Sequence, residues 1–171
     1  MPIGKTELLD LLNAIDGALD RKIRINAVGG TALTLLGVKS STLDVDFDAN
    51  SKDSETLKKA IKLLNPGYKI DLFSNGMIFS QQLPSDYDKQ CVPIPSKFRQ
   101  IELFAISPLD IICSKIGRLN ERDIQDIRMT IEKFKVTKDQ VRKRAKLVGY
   151  AANDAIFAQN TKYVLENIFG K

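Results

Sequence analysis

An α+β fold is expected: an α/β core over residues 1–106, followed by a helical bundle over 107–171. Three observations predict it. Up to Ile106 the apolar spacing switches between the helical and the strand period. From Ser107 onward the apolar residues keep to the helical period, punctuated by capping residues. The length, 171 residues, suits one compact domain or one domain with a helical appendage.

The elements follow in order. Leu8, Leu9, Leu11, Leu12, Ile15 and Leu19 form one stripe of a helix over residues 6–20, with Thr6 as N-cap. Ile23 to Val28 is an apolar run that reads as a buried strand, and Thr31 to Leu36 as a short helix ending at Gly37. Asp44 to Asp48 alternates acidic and apolar residues, as a strand with two unlike faces does. Asp53 or Ser54 caps a helix carrying Leu57, Ala60, Ile61 and Leu64, which Asn65-Pro66-Gly67 stops. Tyr68 to Phe73 is the next strand, with Asp71 between Ile70 and Leu72. Met77 to Phe79, Cys91 to Ile94 and Arg99 to Ile106 are further strands; Pro93 and Pro95 mark the middle one as an edge or an irregular loop. Ser107-Pro108 opens the helical part, Asn120 caps a helix to about Phe134, Thr137 opens another, and Ala151 to Phe169 forms the last.

Composition narrows the chemistry. The chain has no histidine, which removes Ser-His-Asp and Cys-His catalysis and most zinc sites. Two cysteines, Cys91 and Cys113, are too few for a disulfide framework. No apolar run is long enough to span a membrane and the N-terminus lacks a signal-peptide core, so a cytoplasmic protein is expected. Net charge is +5, a mild bias toward anionic partners.

The chemistry concentrates between Val28 and Asp48. Strand alternation puts Asp44, Asp46 and Asp48 on one face and Val45 and Phe47 in the core. Side-by-side carboxylates need solvent, a proton or a cation, and Mg²⁺ takes a few carboxylate oxygens while keeping places for phosphate. Gly29-Gly30 lets the backbone bend tightly at a helix start, where N–H groups favour an anion. Together these suit a metal-bound polyphosphate; the bland alternatives are a solvated acidic strand and a plain strand-to-helix turn. Asp44-x-Asp46-x-Asp48-x-Asn50 with Glu55 also mimics a calcium loop, but Ala49 stands where that loop needs glycine. Setting that loop aside makes Asp48 and Glu55 surface residues.

Gly29-Gly30, thirteen residues, then Asp44-Val45-Asp46 resembles the signature of the polymerase-beta-type nucleotidyltransferase superfamily. The strings VGGTAL and TLDVDF are most similar to its abortive-infection and toxin–antitoxin branch, the AbiEii-like and MenT-like enzymes. The resemblance implies an α/β core with a mixed sheet and transfer of an NMP from an NTP to a hydroxyl, with two Mg²⁺ ions as cofactors. The implied acceptor is a tRNA 3′ end or a protein, and the implied partner an antitoxin. Asp44, Asp46 and Asp71 would hold the metals, with Asp71 drawing the proton from the attacking hydroxyl; Gly29, Gly30 and Thr31 would hold the nucleotide. The branch reads R-x-T-x-D-x-D where this chain has Ser40-Ser41-Thr42-Leu43-Asp44-Val45-Asp46, so Ser40 replaces the arginine. That departure motivates a second reading, a catalytically degenerate module that binds nucleotide, RNA or a partner protein.

Lys115-x₂-Arg118-x₃-Arg122-Asp123-x₂-Asp126 resembles a second segment of the same branch. It implies that Lys115 binds the triphosphate tail as a catalytic cation, and that Arg122, Asp123 and Asp126 brace the nucleotide site. Arg122 and Asp126 are four apart and can pair; a surface helix with ordinary salt bridges is the alternative. Finally, Lys133, Lys135, Lys138, Arg142, Lys143, Arg144 and Lys146 form a basic run. It reads as an exposed helix or as a landing surface for tRNA or another RNA backbone.

Overall fold

The computed structural model describes residues 1–149 and 153–169. Its contacts divide it into two units, Met1–Asn75 with Cys91–Ala105, and Gly76–Gln90 with Ile106–Lys171. Together they are α+β, with eight α-helices among the described residues. None of these helices is long and apolar enough to cross a membrane.

The first unit runs β1 (Ile3–Gly4), α1 (Lys5–Gly17), β2 (Ile23–Ala27), α2 (Gly29–Leu35), β3 (Ser41–Thr42), β4 (Val45–Ala49), α3 (Ser51–Leu64) and β5 (Ile70–Ser74). The second unit supplies β6 (Met77–Ile78), β7 (Gln81–Gln82) and α4 (Tyr87–Gln90), after which β8 (Val92–Pro93) and β9 (Ile101–Ala105) complete the first. Strands of the first unit lie in the order β5-β4-β2-β9-β8. β4–β5 and β2–β9 are parallel, while β2–β4 and β8–β9 are antiparallel, so the sheet is mixed.

One face of this sheet is apolar: Ile23, Ile25, Ala27, Val45, Phe47 and Ala49 are each at most 3% exposed. α3 packs on β2, β4 and β5. Burial at this density excludes water and contributes about 25 cal/mol per Å² of apolar surface removed. Two carboxylates tie the layers together. Asp53 in the first turn of α3 takes the Arg21 guanidinium at 2.8 Å and the Arg24 backbone N–H at 3.1 Å. Asp16 at the end of α1 accepts the N–H groups of Arg99, Gln100 and Ile101 at 2.8–3.0 Å, fixing the entry to β9.

Burial alone would raise the Asp16 carboxyl; the three N–H donors and the Arg99 charge outweigh it and hold the group below its ordinary value. A depressed folded pKa means that the native state binds fewer protons than the unfolded chain. The stabilisation is therefore present above the ordinary Asp value of about 3.9 and lost as pH falls through the lower folded value. Urea denaturation across acidic pH is expected to show stability falling in that window, with a shallower fall in Asp16→Asn.

The second unit continues with α5 (Pro108–Ile116), α6 (Glu121–Phe134), α7 (Lys138–Ala145) and α8 (Asp154–Tyr163), which runs into a π-helix at Val164–Ile168. These helices share one apolar cluster built on Ile112, Ile116, Ile127, Val136, Val141 and Val164. Asp110 of α5 is fully buried and receives Arg144 of α7 through two bonds, Nε–Oδ1 at 2.8 Å and NH2–Oδ2 at 2.9 Å. Arg144 adds Asp86 at 2.8 Å. These bonds, that to Asp110 foremost, raise the guanidinium pKa against the opposing effect of burial.

The starts of α5, α6 and α7 fall where the capping residues predict, while α2 starts at Gly29, two residues before Thr31. Ser107, Asn120 and Thr137 accept N–H bonds from Asp110, Asp123 and Gln140 at 3.1, 2.9 and 3.2 Å. Two more differ. α1 starts at Lys5, because the Glu7 carboxylate reaches back to the Gly4 N–H at 3.0 Å, so Thr6 lies inside the helix. α3 is capped by Asn50, which accepts from Asp53 N at 2.8 Å, placing Asp53 and Ser54 inside it. Cys91 to Ile94 contracts to the two residues of β8. The final helix starts after its cap, Asn153; Ala151 lies outside the described residues.

Candidate active site

Sheet register brings the carboxylates together. Asp46 of β4 is the partner of Asp71 of β5, and Asp48 is the partner of Phe73. Partners on neighbouring strands share a face with backbones about 4.8 Å apart. The same face takes Asn26 of β2, opposite Asp48, and Arg24 and Phe104, where the guanidinium lies 3.9 Å from the ring centre. One side of the sheet is thus apolar core and the other carries Asp46, Asp48, Asp71, Asn26 and Arg24.

Exposure grades the acids. Asp46 is 5% exposed, and the Asp71 side chain is 44% exposed with Lys69 Nζ at 3.5 Å. Asp44 sits in the bend just before β4 and is exposed. Asp48 is fully buried, which corrects its reading as a surface residue. The calcium-loop alternative fails, because an extended strand cannot wrap its carboxylates around an ion and Glu55 lies in α3. Among the described residues, no three His, Cys, Asp or Glu side chains gather as a metal cluster. The expected three-acid set is thus a register-matched pair, Asp46 and Asp71, with Asp44 at its margin.

The Gly29-Gly30 turn lies beside this pair. Gly29 has φ +54°, a conformation that L side chains rarely adopt, and a Cβ on Gly30 would meet Thr42 Oγ1 at 2.5 Å. α2 is only seven residues long, so what the turn offers an anion is close approach to bare backbone more than a helix dipole. Val28 N donates to the Asp46 carbonyl at 3.2 Å, joining turn and strand directly.

Thr31 has a different task from the phosphate contact expected of it. Fully buried, its Oγ1 donates to the Asp44 carbonyl and accepts from the Asp46 N–H, both at 3.0 Å. The Thr42 hydroxyl also donates to the Asp44 carbonyl at 3.0 Å. Two threonines therefore pin the backbone on which both acids stand, and Thr31 acts by position.

The second constellation is likewise placed differently. Lys115 is 3% exposed, with Nζ at 2.9 Å from Asp126 and 3.4 Å from Asp123. A cation buried between two carboxylates ties α5 to α6 and is not the open charge expected for a triphosphate tail. Arg122 is exposed on α6, and the expected Arg122–Asp126 pair is not formed among the described residues; Asp126 takes Lys115 instead. Arg118 pairs with Asp123 at 2.9 Å and lies over the Phe79 ring at 4.3 Å. Phe79 and Ser80 hold φ of 51° and 66° in the β6–β7 turn, unusual for a bulky residue.

The sequence reading singles out neither Arg24 nor Asn26, which the sheet places on the acidic face. Their signal is present, since Arg24 and Asn26 alternate with Ile23, Ile25 and Ala27. Cys113 is fully buried and burial pushes its thiol up, so it is inert.

A mixed sheet with paired strand carboxylates beside a Gly-Gly turn is consistent with a nucleotidyltransferase core. Comparison with known families agrees. Residues 6–166 match the model of the family described as "Nucleotidyltransferase of unknown function (DUF6036)", and the chain belongs to that family. Neither a curated protein nor a solved structure matches it. The match supports a general nucleotidyltransferase role and nucleotide as ligand, without singling out the AbiEii-like and MenT-like branch.

Proposed function

We propose that the protein is an Mg²⁺-dependent enzyme that moves an NMP from an NTP to an acceptor hydroxyl, as a member of the toxin–antitoxin branch. The observation that carries this reading is the register of Asp46 with Asp71 beside the Gly29-Gly30 turn. Two carboxylates on adjacent strands suit Mg²⁺, which completes its shell with water and phosphate oxygens; they do not form a closed protein cage. When bound, the metal neutralises the triphosphate and makes the acceptor oxygen a better nucleophile.

The chain's own part is positioning. Asp46, with Asp44 at the margin, holds the metal-bound triphosphate, and the backbone at Gly29 and Gly30 approaches its oxygens. Asp71, the more open of the register pair, takes the proton as the hydroxyl oxygen attacks the α-phosphorus. The α–β bridging bond breaks and pyrophosphate leaves with the electron pair. Among acceptors, an RNA 3′ end suits the exposed cations of the Lys133–Lys146 run, from which Arg144 is withdrawn by its burial.

The test is incubation with each α-labelled NTP, Mg²⁺ and total cell RNA. Label is expected in RNA or protein with Mg²⁺ and none with EDTA. A second reading, nucleotide binding without turnover, is favoured by Ser40 in the arginine position and by the burial of Lys115. Calorimetry showing Mg²⁺-dependent NTP binding, with no label transferred to any acceptor, would select it.

A further inference from the structure

A groove of about 550 Å³ runs between α7 and the α8–π-helix segment of the second unit. Its floor is apolar and low, made by Ala145, Phe157, Ala158 and Leu165. Small side chains at Ala145 and Ala158 leave the space open. Its rim is basic: Lys138, Arg142, Lys146 and Lys162, opposed by Glu166. Asp139 is shared between Arg142 and Lys143 at 3.4 and 2.9 Å. Lys138, Lys146 and Lys162 have no carboxylate within ion-pair distance among the described residues. Next to rim and floor residues in sequence, Leu147, Tyr163 and Ile156 are 58%, 41% and 47% exposed. Leu165 and Glu166 belong to the π-helix, a rare backbone form that is frequent at functional sites.

From this we infer that the groove receives an acidic amphipathic helix of a partner protein. Recognition of this kind places apolar anchors one or two helical turns apart in an apolar groove. The occupant's flanking carboxylates meet the basic rim, which sets orientation and rate of encounter. A nucleic-acid backbone fits less well. Its phosphates would use the rim but would leave Phe157, Ala158 and Leu165 against a wet, charged strand, gaining nothing from the floor. The inference stands apart from the carboxylate site, to which none of these residues belongs; it takes Lys138, Arg142 and Lys146 out of the run offered above to RNA and leaves Lys133, Lys135 and Lys143 for that role.

The probe is a labelled synthetic helix with leucines at i, i+3 and i+7 and glutamates between, followed by fluorescence anisotropy on the full chain. It is expected to bind about tenfold tighter than its scrambled sequence. Ala158→Glu, which charges the floor at an exposed position, and the pair Lys146→Glu with Lys162→Glu should each weaken it about tenfold. Lys58→Glu with Lys62→Glu, on α3, should leave binding unchanged. The rim pair is wholly at the surface, so it decides the matter even where Ala158→Glu fails to fold. Equal binding of the scrambled peptide would overturn the inference. So would an RNA oligonucleotide that outcompetes the helix and ignores Ala158→Glu, or a solution dimer that Ala158→Glu dissociates.

Discussion

Asp46→Asn should lower NMP transfer by about 10²–10³-fold or more, while circular dichroism and the melting temperature remain near those of the parent. Asparagine keeps the shape and one oxygen but removes the charge that a metal-bound triphosphate needs. Asp46 is also the acid whose placement is most tightly determined. Its N–H is held by Thr31, its carbonyl by Val28, and its side chain shares a face with Asp71 through register. Asp71→Asn should reduce transfer comparably through loss of the proton acceptor. Asp44→Asn tests the margin of the site and is expected to abolish transfer too. Full transfer by Asp46→Asn would remove the assignment of the site, whatever the other variants did.

Arg144→Ala or Asp110→Ala should destabilise the protein by about 3–5 kcal/mol, because each strands the other charge inside the second unit. That corresponds to a fall in Tm on the order of 10 °C. Arg144→Lys should rescue little, since an ammonium cannot reproduce the two parallel bonds to Asp110. Asp86→Ala, at the solvent-facing end of the same cluster, should cost far less than either. Urea denaturation of the four variants checks the series. A loss under about 1 kcal/mol for Arg144→Ala would show that water satisfies Asp110 when the guanidinium is gone.

These two expectations rest on features of unequal legibility. The Gly29-Gly30 turn, the Asp44-x-Asp46 alternation and the caps at Ser107, Asn120 and Thr137 are local demands of the backbone, and a short window of sequence displays them. The partnership of Asp46 with Asp71 is a strand-pairing fact, and no local pattern fixes which residue of Ile70–Ser74 stands beside which of Val45–Ala49. Lys115, Arg122, Asp123 and Asp126 read as one constellation, but periodicity says which side chains share a side of a helix and not whether that side is wet. Arg144 looks like any other member of a basic run, because its partner Asp110 lies 34 residues earlier. Thr6 reads as a cap because its side chain can accept an N–H bond, yet Gly4 is the cap and the Glu7 carboxylate accepts its N–H from inside the helix.

The oxygen of Thr31 must give one hydrogen and take another in the same place. Only an alcohol does both, so that position has an alphabet of two letters, serine and threonine. Valine would match the outline yet take the Thr31 partner from the Asp46 amide and leave the Asp44 carbonyl to Thr42 alone. Position 31 is therefore a compact sorting criterion among kindred chains: a hydroxyl there marks a strand pinned by its helix as well as by the Val28 amide, and a hydrocarbon marks one that has kept only the latter.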